Sequence, residues 1–303
     1  MKKRILAVCA LSFFAMAFQQ QQQRTPLEAA RSRIEAITRS INAKWGIYIK
    51  SIETGEEIAL NADEQMDTMS VIKIPLMVEA YRQDEEGNIK LSETHALKAS
   101  EKRQGTGILQ RWAEGTVMTY EDIMDLMIIV SDNTATDLIF QKVGGPEAVN
   151  KLMDSYGYDK IRATGLAADW FKALAATNRD TFHREAKHPF GLATPRQIGL
   201  LLEKIEKGEA VSKEASQKML QHMRGQLYAT RIPRYLSYTG FGRAPHKTGD
   251  FLPYIANDVG VLETGNKRVV VSIFTANHFG MGTMLEDAVA RITEQAAAYF
   301  GSR

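Results

Sequence analysis

Near the start of the folded part of the chain, the apolar positions change their period. Ala30, Ile34, Ile37 and Ile41 recur at spacings of four, three and four, which places them on one face of a helix. That helix opens at Thr25-Pro26-Leu27-Glu28, with a threonine able to cap, a proline at the first helical position and a glutamate placed to close a capping box. Residues 45–52 then alternate as a strand, turn at Thr54-Gly55 and return through residues 57–60 as a hairpin. Far downstream, residues 258–263 and 269–276 read as two further strands around a turn at Thr264-Gly265-Asn266. A closing helix carries Leu285, Val289, Ile292, Ala296 and Tyr299 on one stripe and stops at Gly301.

Between these strand-rich ends, residues 70–223 have helical patterns, most plainly at 123–130 and 195–206, so Met124, Met127 and Phe140 are read as core. The pattern predicts a mixed α/β fold of the α+β kind. An antiparallel sheet is assembled from both chain ends and flanked by helices, with an all-helical lobe inserted at about residues 70–223. Residues 25–303 then form one compact unit with two lobes, and the termini must lie together. Only residues 164–190 have mixed, weak periodicity, which predicts a long irregular loop of the kind that is often functional.

The first residues change the picture of where the chain works. Lys2, Lys3 and Arg4 precede an apolar run at 5–18 too short to span a bilayer, and Ala15-Met16-Ala17 has a small-x-small pattern, so residues 1–17 are expected to be an export signal. Residues 18–24, with glutamines from Gln19 to Gln23, read as a tether. Cys9, the only cysteine, lies inside the signal, so no disulfide or cysteine metal site is expected in a periplasmic or secreted mature protein. Formal net charge is +2 without a basic, aromatic-interleaved stripe, which argues against nucleic acid. His183 and His188 have no H-E-x-x-H or Cys/His spacing, so no metal or other cofactor is expected. Neither a G-x-S-x-G elbow nor a Gly-rich phosphate loop is present.

Three short motifs carry the chemistry: Ser70-Val71-Ile72-Lys73, Ser131-Asp132-Asn133 and Lys247-Thr248-Gly249. Three residues apart at the start of a helix, Ser70 and Lys73 share a face, which supplies a nucleophile and a base. Lys73 must be neutral for this, and burial beside another cation such as Lys247 favours that state. The Ser131 hydroxyl can relay a proton to a leaving group, Asn133 offers an amide for Lys73 and a substrate carbonyl, and Asp132 braces the turn. Lys247 is a cation for a substrate carboxylate, Thr248 adds a hydroxyl, and Gly249 lets substrate approach the backbone of an edge strand.

With these motifs the chain resembles the class A β-lactamase family of serine hydrolases, whose set they form in this order. The resemblance runs from about Ile34 to the C-terminus and includes Gly107-Ile108-Leu109-Gln110, Val143-Gly144-Gly145 and Ala193-Thr194-Pro195. It implies a β-lactamase/transpeptidase-like fold, a Ser70 acyl-enzyme, and an oxyanion hole from the N–H groups of Ser70 and Asp250. It also implies a second carboxylate-binding arginine at Arg231 or, less well matched, Arg234. The Asp250 side chain departs from expectation, since its carboxylate would repel an anionic substrate. One family element is missing. No Glu-x-x-Leu-Asn lies between the second and third motifs, where the family keeps the carboxylate that activates the deacylating water. Asp169, Asp180 and Glu185 are the loop acids that could replace it, and Lys73 could serve both half-reactions. The substrate is then a small β-lactam or a peptidoglycan-like acyl compound, taken by a monomer with no stable membrane insertion. Three functions stay open: a β-lactamase, a D,D-peptidase or esterase, and a β-lactam-binding protein that stays acylated.

Overall fold

The computed structural model describes residues 25–185, 189–236, 244–264 and 266–301. The signal at residues 1–17 with Cys9, the tether at 18–24, His188 and Gly265 lie outside the described residues, as does the side chain of Glu185.

Helix α1 (Pro26–Ser40) begins with the capping box that its sequence predicts: Thr25 Oγ1 accepts from the Glu28 N–H at 3.2 Å, and Glu28 Oε2 accepts from the Thr25 N–H at 2.7 Å. Its buried residues, Ala30 and Ile34, pack with Leu285, Val289, Ile292 and Ala296 of α10 (Gly282–Gly301), so the two chain ends do meet. Both helices cover one face of a five-stranded antiparallel sheet made of β1 (Lys44–Ser51), β2 (Glu57–Leu60), β3 (His246–Phe251), β4 (Ile255–Thr264) and β5 (Lys267–Ala276). The strand order is β2-β1-β5-β4-β3, with Ile47 opposite Ile273 and Lys247 opposite Val259. Burial runs almost unbroken through Trp45 to Ile49, because the second face is covered as well. There α8 (Pro195–Glu206) lies so close that a Cβ on Gly199 would sit 2.4 Å from the Tyr48 ring.

The intervening chain is mainly helical: α2 (Lys73–Glu85), α3 (Tyr120–Ile129), α4 (Asn133–Val143), α5 (Pro146–Ser155), α6 (Ala167–Ala175), α7 (Arg179–Glu185), α8 and α9 (Lys213–Arg224). Met124, Met127 and Phe140 are fully buried in its core. The stretch expected to be an irregular loop instead holds α6 and α7. Alanines at 167, 168, 173 and 175 suit a helix, and the decisive anchor comes from elsewhere. Asp137 of α4, only 1% exposed, accepts from the N–H groups of Ala167 and Ala168 at 2.7 and 3.2 Å and thereby caps α6 from a neighbouring helix. Among the described residues no helix is long and apolar enough to cross a membrane.

Candidate active site

Ser70 does not sit in the α-helix itself. It occupies a single 3₁₀ turn (Met69–Ile72) that runs directly into α2. In that tighter winding residues three apart eclipse, so Lys73 follows Ser70 on the same side. The residue before Ser70 is strained: Met69 has φ 45°, held by its N–H donating to Asp67 Oδ1 at 2.8 Å. Gly249 of β3 explains how the strand reaches this turn. A Cβ there would lie 2.4 Å from the Thr68 carbonyl oxygen, so the glycine first admits the protein's own backbone.

The second motif starts just before α4. Asp132 braces it: its Oδ2 accepts from the N–H groups of Ile108 and Leu109 at 2.6 and 2.8 Å, and its Oδ1 caps α4 through the Ala135 N–H at 3.0 Å. Ser131 is another non-glycine residue with a left-handed backbone, φ 54°, which turns its carbonyl and hydroxyl toward α2. Lys73 Nζ donates to the Ser131 carbonyl oxygen at 2.7 Å, to Ser131 Oγ at 3.0 Å and to Asn133 Oδ1 at 3.1 Å. These hydrogen bonds all run to the second motif, whereas the three-residue spacing predicted the Lys73 amine beside the Ser70 hydroxyl. Asn133 Nδ2 donates to the Gln104 carbonyl at 3.0 Å, which leaves one amide hydrogen for a substrate.

The third motif lies on β3, which among the described residues pairs with β4 alone and is thus an edge of the sheet. Lys247 Nζ donates to Ser131 Oγ at 3.0 Å and to its neighbour's carbonyl, that of Thr248, at 2.8 Å. The Ser131 hydroxyl thus lies between two lysine head groups. Both lysines are fully buried, and burial disfavours their charged form. Burial, followed by the charge of Lys247, pushes Lys73 well below the usual lysine range. Burial likewise brings Lys247 down to about 7, although the carboxylates of Asp250 and Asp258 oppose it. Thr248 Oγ1 is buried with no partner among the described residues. Beneath this strand His246 Nδ1 faces Asp258 Oδ1 at 2.9 Å, both buried.

Ser70, Ser131, Asn133 and Asp250 open onto one cleft of about 260 Å³. Its other side is apolar, formed by Trp170, Phe171 and Leu174 of α6 together with Phe190 and Phe251. Trp170 is wedged edge-on between Phe171, Phe182 and Phe251, with ring centroids 5.1, 5.1 and 5.3 Å away. Among the described residues lining the cleft, Asp250 is the one acid. Asp169 is exposed and lines a separate hollow with Thr164 and Gly165, and Asp180 accepts a hydrogen bond from Tyr254. A larger hollow of about 1000 Å³ between α1 and α10 is lined by Ile37, Met284 and the Asp287–Arg291 ion pair, without a serine–lysine pair, so the chemistry points to the smaller cleft.

Arg231 is 2% exposed, and its guanidinium is engaged by the protein itself. It donates to the Asn257 carbonyl at 2.9 Å, to Glu286 Oε1 at 2.9 Å and to Asp250 Oδ1. Arg234 is 41% exposed and pairs with Asp287. Sequence reading overlooked Asp137, Glu286 and the α6 aromatics. Only Asp137 had a local signal, as an acid directly before the apolar run Leu138-Ile139-Phe140.

A model of the β-lactamase enzyme family matches residues 29–300. The β-lactamase VEB-1 of Pseudomonas aeruginosa is 22% identical over 310 residues, covering 98% of each chain. A crystal structure of a β-lactamase from Sphaerobacter thermophilus is 31% identical and superposes with a TM-score of 0.76 over 92% of this chain and 97% of that one. PBP-A, also solved as a variant in an acyl-enzyme complex with penicillin G, is 21% identical with a TM-score of 0.77 over 91% of this chain and 97% of its own. The match to the family model covers most of the residues that build the sheet, the helices and the cleft, and the chain belongs to the β-lactamase enzyme family.

Proposed function

We propose that this protein opens β-lactam amides through an acyl-enzyme at Ser70 and releases the product slowly. Neutral Lys73, which as an amine keeps two of its three donations and frees a lone pair, takes the Ser70 proton as Oγ attacks the carbonyl carbon, and the N–H groups of Ser70 and Asp250 receive the oxyanion. As the carbon–nitrogen bond breaks, Ser131 passes a proton to the departing nitrogen and is resupplied by the lysine pair that flanks it. Asn133 orients the acyl amide, while Lys247, Thr248 and Gly249 hold the leaving-group side. The N-terminal segment supports export to the periplasm or beyond.

The observation that carries slow release is the apolar α6 wall beside Ser70. Hydrolysis of an ester needs a base that can orient and deprotonate water, and Trp170, Phe171 and Leu174 supply none. The same wall favours a second reading, a β-lactam-binding protein that stays acylated, and a variant of the similar protein PBP-A is seen as a penicillin acyl-enzyme. An esterase or D,D-peptidase would use the same residues. Mixing the protein with a chromogenic cephalosporin, with intact-mass detection, should give a burst of one product equivalent, an adduct and slow turnover. Ser70→Ala should lose the adduct and about 10⁶-fold of the acylation rate while its melting temperature is kept. Fast steady hydrolysis without an adduct would exclude slow release, and an adduct retained in Ser70→Ala would move the nucleophile elsewhere.

A further inference from the structure

The cleft has a carboxylate on the side where its leaving group departs. That side is marked by Ser131, whose hydroxyl lies 3.0 Å from Lys247 Nζ, and the acyl side is marked by the apolar α6 wall. Asp250, three residues after Lys247 on the same strand, lines the cleft with Ser70 and Ser131 and keeps 26% of its side-chain surface exposed. Its Oδ1 is bonded to Arg231, while Oδ2 has no hydrogen bond among the described residues. Behind it the buried Arg231 is shared with Glu286, which also accepts from Thr230 Oγ1 at 2.7 Å. One guanidinium thus answers two carboxylates, and one negative charge is left over for the cleft. Asp250 is also the foremost charge acting to keep a proton on Lys247, and it acts on Lys73 in the same sense. The one cation among the described residues lining the cleft, Arg179, is held on the side of the aromatic wall, over the Phe251 ring at 4.5 Å and donating to the Leu252 carbonyl at 2.7 Å.

We propose that Asp250 tunes specificity by setting a negative charge beside Lys247 and Arg231, so that of two acyl substrates otherwise alike the site favours the one whose leaving-group side is neutral or cationic, and a β-lactam, which brings a carboxylate there, is acylated more slowly than a neutral counterpart would be. This rests on the acyl-transfer reading of Ser70. A substrate carboxylate entering beside Asp250 meets a like charge in a partly desolvated cleft, and its two natural cations, Lys247 and Arg231, are already answered.

The test is a pair of esters that differ only in the leaving group, phenyl phenylacetate and 3-carboxyphenyl phenylacetate, whose acyl part suits the α6 wall. The wild-type protein should favour the neutral ester by at least about 10-fold in kcat/KM, and Asp250→Asn should bring the ratio to within about threefold of parity, mostly through KM for the anionic ester. The preference of the wild-type protein should also shrink as salt is raised. An equal ratio in the wild-type protein and folded Asp250→Asn overturns the proposal. Should that variant not fold, a wild-type ratio near parity, or one indifferent to salt, overturns it instead. Ester hydrolysis that survives Ser70→Ala would overturn the acyl-transfer reading itself, whereas hydrolysis lost in Ser70→Ala with equal ratios would sink the Asp250 assignment alone.

Discussion

On one side of the Ser70 cleft, Lys73, Ser131 and Lys247 are buried and bonded to one another; on the other, Trp170, Phe171 and Leu174 present carbon and aromatic edges. The polar side tolerates few alternatives, because each buried donor needs an acceptor at hydrogen-bond distance and an unmet one costs about 1–3 kcal/mol. The apolar side can be filled by many residue combinations of similar volume. On the proposed acyl-transfer reading, acylation draws on the first side, with Lys73 as base and Ser131 as proton relay. Deacylation needs a base on the water's approach, and the second side lacks one among the described residues. On that reading the contrast ties a slow second step to a particular surface of α6.

Placing a carboxylate on that surface is the strongest way to break the contrast. The Phe171 ring would lie 2.5 Å from a Cβ on Gly105, and that Cβ would be 2.8 Å from Asn133 Nδ2, so residue 171 reaches the cleft beside the second motif. Phe171→Glu should raise the deacylation rate by about 10²-fold, seen as loss of the burst and faster decay of the adduct in intact-mass time courses. Phe171→Gln has nearly the same shape without a base and should not accelerate. Equal acceleration in both would mean that opening the aromatic wall to water, and not the base, limits turnover.

The two sides also differ in how far the sequence discloses them. The capping box of Thr25 and Glu28 is legible because its partners are three residues apart, and the three motifs are legible because each is contiguous. Their meeting is not: Lys73 and Ser131 are brought together over 58 positions, and Lys247 and Ser131 over 116. The resemblance supplied that link. The α6 wall has no motif, and its helix start is set by Asp137, 30 positions away from Ala167, which is why residues 164–190 looked irregular. The same holds for Arg231 and Glu286, 55 positions apart, whose pairing turns an expected substrate arm into the partner of Asp250.

A smaller effect tests what the polar side costs the fold. Lys247 has a pKa of about 7 in the folded protein against 10.5 for an ordinary lysine, with burial the main cause. The unfolded chain therefore holds a proton between pH 7 and 10.5 that the folded protein lacks, and stability rises with pH across that window. The penalty is complete below about 7 and gone above 10.5. Lys247→Met fills similar volume without a charge, so it should melt about 5 °C higher at pH 7, partly offset by the unpaired Thr248 carbonyl, with the gap closing toward pH 10.5. A gap that does not vary with pH would assign the gain to packing.

The smallest expected effect separates α6 as a wall from α6 as a source of catalysis. Asp169 is the acid of this segment nearest to where the family's missing carboxylate falls, and it lies on the same helix as Trp170 and Phe171. Neighbouring residues on a helix point about 100° apart, so placing Trp170 in the cleft turns Asp169 away from it. Accordingly Asp169 is exposed beside Thr164 and Gly165, with its Oδ2 3.8 Å from where a Cβ on Gly165 would be. Removing its charge acts on Ser70 only through solvent, where screening leaves little. Asp169→Asn should thus leave both the burst and the slow phase within about twofold of the wild-type values, and change stability by no more than about 0.5 kcal/mol. A slow phase that disappears in this variant, with the adduct persisting, would mean that α6 rotates in the acyl-enzyme to bring Asp169 to the ester, and the apolar wall would then be a property of the resting protein alone.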